Sequence, residues 1–281
     1  MKMITIGYHG LGRGSIMELT GVKKSTTTPI TKADVVKQLK KLKLADLDLL
    51  VVYANLEAFD YIIGGAQTIV EAIYEVTGYL TTIVMPAHSI HQSCPTFFDE
   101  ALPKKWKELM VKHTPAYNES LSPILSGEVA EAFARMPRVY RSAHPVASYL
   151  ASGRKAAWFM SGHQLGSMFG EQSPVQKLYA QDAKVLCLGI DYNQLTALHL
   201  AEYYADCRPK KMHEAIVNRE GEAKLAEFED LAFDSTSFNE IGAAYEAANH
   251  EVPVFEIGKT TCKLVDYRTL IDFATDYLKA K

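Results

Sequence analysis

Apolar runs of strand length alternate along this chain with segments whose apolar positions recur at helical spacing. Residues 47–54 (LDLLVVYA), 81–87 (TTIVMPA) and 184–190 (KVLCLGI) are nearly continuous in apolar side chains. That is the pattern of strands buried on both faces. Thr31 is placed to cap a helix beginning near Lys32, with Val35, Val36, Leu39 and Leu42 on one face. Gly64-Gly65 precedes a second helical stretch, QTIVEAIYEV, and further stretches lie at 128–135, 174–180, 195–205 and 269–278.

This alternation predicts an α/β layered fold with helices on both faces of a sheet. No internal repeat or low-complexity linker divides the chain, so residues 1–281 read as one domain, with 1–30 a candidate N-terminal extension. Residues 89–126, rich in Pro, Ser and His and carrying Trp106 and Tyr117, read as a long loop of the kind that serves as a lid. Residues 210–238 are the most charged stretch and are expected to be exposed.

Composition narrows the function classes. With 48% hydrophobic and 22% charged residues and a formal net charge of -3, there is no basic excess to hold a nucleic-acid backbone. The longest apolar runs are too short to span a bilayer, and no signal-peptide apolar region follows Lys2. The expectation is a cytoplasmic protein with neither a nucleic-acid nor a membrane partner. Cys94, Cys187, Cys207 and Cys262 are far apart, which suits a reducing compartment rather than a disulfide framework.

Several motifs carry candidate chemistry. Gly10, Gly12 and Gly14 follow a short apolar run but lack the third glycine of the dinucleotide fingerprint, so a flexible turn is the better reading. His88, His91 and Cys94 form a His-x-x-His-x-x-Cys run without an evident fourth zinc ligand, and no metal is expected. There is no Gly-x-Ser-x-Gly elbow and no His-Glu-x-x-His. Gly64-Gly65 is either a tight turn or a helix start with uncovered N–H groups that suit a pyrophosphate, with Gln67 and Thr68 in the first turn. In residues 191–206, DYNQLTALHLAEYYAD, Asn193 as N-cap would put Thr196, His199 and Glu202 near one helix face, just beyond the carboxyl end of a strand. A carboxylate beside an imidazole fixes its tautomer and raises its basicity, as a general base requires; a structural histidine is the other reading.

In order along the chain, IIGGAQTIVEAI, VMPAHS, PAY (115–117), RSAHP (141–145), GEQSPVQKLY (170–179), LHLAE (198–202) and IGKTTCKLVDYRTLIDF (257–273) resemble the aminoglycoside 3-N-acetyltransferase family from about Thr31 to Leu278. The resemblance implies one α/β domain of the antibiotic N-acetyltransferase type, a central mixed sheet flanked by helices. It also implies acetyl-coenzyme A as acyl donor and a small polycationic amine as acceptor, with the 3-amino group of an aminoglycoside antibiotic foremost. The family's catalytic histidine falls on His199, with Glu202 as its orienting partner and Thr196 beside it. Cofactor contacts fall on Asn55, Gly64, Gly65, Gln67, Thr68 and Ala87, and acceptor contacts on Tyr117, Glu171, Asp230 and Asp234. A homo-oligomer stays open.

The chain departs from the family pattern where Tyr53-Ala54-Asn55-Leu56 replaces His-Ser-Ser-Leu, where Ala87 replaces a hydroxyl residue, and where Leu195-Thr196 replaces Asn-Thr. Hydroxyls near a reacting thioester are therefore lost or moved. Two alternatives follow: a different small amine as acceptor, or a catalytically weak member that binds coenzyme A.

Overall fold

The computed structural model describes residues 28–90, 103–248 and 251–281. Seven strands form the central sheet: β1 (Leu49–Ala54), β2 (Thr82–Pro86), β3 (Tyr140–Arg141), β4 (Tyr149–Ser152), β5 (Lys184–Leu188), β8 (Val254–Ile257) and β9 (Thr260–Asp266). A separate two-stranded sheet consists of β6 (Lys210–Arg219) and β7 (Glu222–Leu231). The central order is β3-β4-β2-β1-β5-β9-β8. Its middle strands β2, β1 and β5 run parallel, and β4, β3, β9 and β8 add antiparallel flanks. The sheet is mixed, as the resemblance implies.

Burial on both faces explains the continuous apolar runs. Along β1, Leu50 and Val52 pack on one face, and Leu49, Val51 and Tyr53 on the other. The first face is covered by α1 (Lys32–Lys40), α2 (Gly65–Thr77) and α4 (Glu128–Ala134). The second carries α5 (Ala156–Met160), α6 (Pro174–Ala180), α7 (His199–Ala205), α8 (Phe238–Ala247) and α9 (Tyr267–Lys279). α1 starts at Thr31, which forms a reciprocal capping box with Asp34. Burying these two faces is the main favourable term in folding the domain. No helix among the described residues is long and apolar enough to cross a membrane.

Four local expectations differ from the structure. The stretch 195–205 is not one helix: Tyr192–Gln194 and Thr196–Leu198 are 3₁₀ turns separated at Leu195, and α7 begins at His199. The cap is Asp191, boxed with Gln194, while the Asn193 N–H donates to the Asn239 side chain. The stretch 89–126 contains a helix, α3 (Lys104–His113), on which Trp106 is exposed. The charged stretch 210–238 holds the β6–β7 hairpin, which is exposed on both faces around its turn but turns one face inward from Ala226 on. Ala226, Phe228 and Asp230 point inward while Glu227 and Glu229 point out, the period-two alternation of a strand. Its two-residue turn, Glu220-Gly221, has positive φ at both positions, as the tight primed hairpin turn requires.

Candidate active site

The three parallel strands end side by side, and the segments that leave them build a cleft of about 480 Å³. Tyr53, Asn55, Leu56 and Glu57 come from the end of β1, Pro86 and His88 from β2, and Ile190, Gln194 and Thr196 from the connection after β5. Chain connections leave β1 toward β2 on one side, while β5 lies on the other, so this is a topological switch point of an α/β sheet. A second cleft, about 420 Å³, opens onto His199 between Val146-Ala147, Met168-Phe169 and the hairpin residues Lys211, Met212, His213, Ala232 and Phe233. His88 and Thr196 line both clefts, so the two meet there.

His199 opens the first turn of α7, and Glu202 follows three residues later. Their spacing brings His199 Nδ1 to 2.6 Å from Glu202 Oε2. Glu202 is fully buried, and its other oxygen accepts from Arg208 Nε at 2.5 Å and from the Asp234 N–H at 3.3 Å. Arg208 also donates to the Asp234 carbonyl and pairs with its carboxylate at 3.4 Å. Hydrogen bonds from Thr236, then the Arg208 charge, hold the Asp234 carboxyl below its ordinary range. Phe169, Phe233 and Phe238 surround the His199 ring, with centroids 4.9–5.1 Å away. With Nδ1 held by the carboxylate, Nε2 is the nitrogen left for chemistry. The imidazole is mostly buried yet lines the second cleft.

Hydroxyls converge where the clefts meet. Thr196 Oγ1 lies 3.0 Å from the Tyr53 hydroxyl, 3.2 Å from that of Tyr149 and 2.9 Å from His88 Nε2. The two tyrosine hydroxyls are 3.0 Å apart, and Tyr53 also accepts from the Ala197 N–H. Burial raises the Tyr53 hydroxyl to about 12 and lowers His88 to about 3, with the neighbouring His199 adding to the latter. The cluster is therefore neutral.

The structure distributes the sequence candidates unevenly. Thr196, His199 and Glu202 come together, and Asn55 lines the first cleft while its side chain caps the 3₁₀ turn Leu56–Ala58. Gly64, Gly65, Gln67 and Thr68 do not line that cleft, although a Cβ on Gly65 would meet Leu56, which does. Gly64 is left-handed at φ 82, and a Cβ there would come within 2.5 Å of Thr68 Oγ1. Thr68 donates to the Ile63 carbonyl and Gln67 to Glu71. Ala87 is fully buried; its N–H donates to the Ser148 carbonyl and its own carbonyl accepts from Arg141 and Ser148. Asp230 is turned inward onto Tyr203 and the Met168 and Leu231 N–H groups. The Tyr117 hydroxyl donates to the Ser142 carbonyl and lines a different pocket, and Glu171 is exposed. Neither Tyr117 nor Glu171 lines the His199 cleft. Gly10, Gly12, Gly14, His91 and Cys94 lie outside the described residues, among which no group of three or more His, Cys, Asp or Glu could hold a metal. Cys187 is buried in β5, its thiol pushed up to about 12 by burial.

Sequence reasoning missed Arg208, Tyr149 and the role of His88. Arg208 stands only six residues from Glu202, but nothing in that spacing marks the pair.

Residues 51–279 match the sequence profile of the family described as aminoglycoside 3-N-acetyltransferase. The prophage-derived aminoglycoside N(3')-acetyltransferase-like protein YokD of Bacillus subtilis (strain 168) is 33% identical over 90% of this chain and 94% of its own. Its crystal structure superposes with a TM-score of 0.86, covering 92% of this chain and 96% of that one. Aminoglycoside N(3)-acetyltransferase IX of Micromonospora chalcea is 29% identical over 94% of this chain and 99% of its own. The binary structure of AAC-IIIb with CoASH is 26% identical and has a TM-score of 0.78, covering 90% and 97% of the two chains. The two faces of the sheet, the switch-point cleft and these matches over nearly the whole chain lead to one assignment: the protein is a transferase of the aminoglycoside 3-N-acetyltransferase family.

Proposed function

We propose that the protein transfers acetyl from acetyl-coenzyme A directly to a primary amine, with His199 as general base and Glu202 as its orienting partner. The observation that carries this reading is the buried His199–Glu202 pair at the wall of a cleft that joins a second cleft at the strand ends. An alkylammonium cannot attack a thioester until it loses a proton. His199 Nε2 receives that proton while Nδ1–H stays hydrogen-bonded to Glu202, which Arg208 and the Asp234 N–H keep fixed. As the amine nitrogen bonds to the acyl carbon the C–S bond breaks, and the nitrogen's second proton goes to the departing thiolate, which leaves as coenzyme A thiol. A positioned base of this kind is worth ~10²–10⁴ in rate. The three phenylalanines limit water around the ring.

The first cleft fits the pantetheine arm. Asn55, Ser126 and Gln194 offer neutral polar groups beside the Glu57 and Glu128 carboxylates, and Leu56, Pro86, Leu125 and Ile190 offer apolar surface. No lysine or arginine is among its described lining, so phosphates fall outside it, toward the start of α2 at Gly65. When bound, the thioester supplies an acyl group already activated for attack. The relatives' names point to an aminoglycoside as acceptor, with Asp234 as a candidate counter-charge next to cleft residue Phe233.

A second reading changes only the acceptor. The described residues lining the His199 cleft include Lys211 but no carboxylate, which favours a less cationic amine. A thiol-release assay over aminoglycosides and simple monoamines decides between the two. For either, His199→Ala abolishes turnover while acetyl-coenzyme A still binds; wild-type turnover by that variant removes His199 as the base.

A further inference from the structure

We infer that Thr196 donates the hydrogen bond that polarises the acyl carbonyl, and that Tyr53, Tyr149 and His88 are positioning residues that aim its hydroxyl. This inference rests on the acyl-transfer reading above.

Thr196 and His88 are the residues that line both clefts, so an acyl group passed from one cleft to the other passes them. A hydroxyl has one proton and two lone pairs. Thr196 Oγ1 has three neighbours within 3.2 Å, more than enough to occupy both lone pairs. Tyr53 is itself anchored by the Ala197 N–H, next to Thr196 in the chain, so the phenol and the threonine are held in one register. Tyr149 arrives from β4 and braces both. When a carbonyl oxygen approaches, Thr196 can turn its proton outward and still accept from the groups behind it. Accepting bonds of this sort strengthen the donated one. With His88 uncharged and both phenols protonated, the donor is a hydroxyl, and it keeps its proton throughout. No covalent bond to Thr196 is involved.

The test is a set of double-mutant cycles read by steady-state thiol release with acetyl-coenzyme A and the best amine of the panel. Thr196→Val should lower kcat ~10²–10³-fold with both KM values within about threefold, and Thr196→Ser should recover most of the loss. Tyr53→Phe, Tyr149→Phe and His88→Gln should each lower kcat roughly tenfold in the wild-type background. In the Thr196→Val background they should lower it no further, because the hydroxyl they aim is gone. Losses that simply add, or a Thr196→Val variant with near-wild-type kcat, overturn the inference. If a tyrosine variant does not fold, the His88→Gln cycle decides alone, since that ring sits at the cleft wall. A wild-type protein that releases thiol with no amine removes the parent reading and this inference with it. Active wild type with additive variants removes only the inference.

Discussion

Glu202→Gln isolates the charge and tautomer of the central pair with almost no change of shape. Glu202 Oε1 faces two fixed donors, Arg208 Nε–H at 2.5 Å and the Asp234 N–H at 3.3 Å. Glutamine must set its amide oxygen on that side, since an amide nitrogen there would face N–H groups. Its NH₂ then points at His199 Nδ1, where the carboxylate oxygen stood at 2.6 Å. To accept that hydrogen bond the imidazole must carry its proton on Nε2, the nitrogen turned to the cleft. The base is then present, in place, and in the wrong tautomer. The expected loss in kcat is ~10²–10⁴, equivalent to about 2.7–5.4 kcal/mol of barrier. Steady-state thiol release at saturating acetyl-coenzyme A and amine reads it. Coenzyme A affinity, measured by calorimetry, should stay within about threefold, because the first cleft is untouched. A variant whose kcat is within threefold of wild type at neutral pH would mean that the pair packs the interior and takes no part in turnover.

Other outcomes follow from the same structure. Arg141→Met strips donors from the Ala87 and Ser122 carbonyls, which accept at 2.7 and 2.6 Å inside the protein. The Ala87 carbonyl keeps the Ser148 hydroxyl, but the buried Ser122 carbonyl loses its donor, which predicts a loss of ~1–3 kcal/mol in denaturant unfolding; a change below about 0.5 kcal/mol contradicts that account. Acid should weaken the fold before its carboxylates titrate. Burial holds His144 down to about 4 and His163 well below its ordinary range, so the folded state binds fewer protons than the unfolded chain. Stability is full above the unfolded value near 6.5 and falls as pH drops from there toward the folded values. The slope approaches ~1.4 kcal/mol per pH unit for each ring. A melting temperature that stays flat between pH 7 and pH 5 would show that these rings are already protonated in the fold.

The parts of the fold legible in the sequence are those whose cause is local. β1, β2 and β5 announce themselves because central strands are buried on both faces, and Thr31 with Asp34 announces a helix start. Glu202 is legible because three residues on a helix bring it back to His199. Thr196 reaches the same site by another route, a 3₁₀ turn, so its proximity is foreseen while its local structure is not. The hairpin was readable in principle from Ala226, Phe228 and Asp230 alternating with glutamates and from Glu220-Gly221, but its charge reads first as solvated surface. Tyr149 lies 96 residues from Tyr53 and Asp230 lies 62 from Met168. Contacts of that length are set by the strand order, which no local window contains.

The hairpin has one further consequence. It supplies Lys211, Met212 and His213 to the cavity beside the imidazole, yet it forms a ladder only with itself and shares no strand pairing with the seven-stranded sheet. Under the proposed acyl transfer, the amine side is walled by a hairpin that lies outside the seven-stranded sheet and is anchored to the rest of the protein through Asp230, Tyr203 and Met168. Exposed Lys211 and Met212 are then the positions where acceptor preference can be altered without disturbing the central ladder.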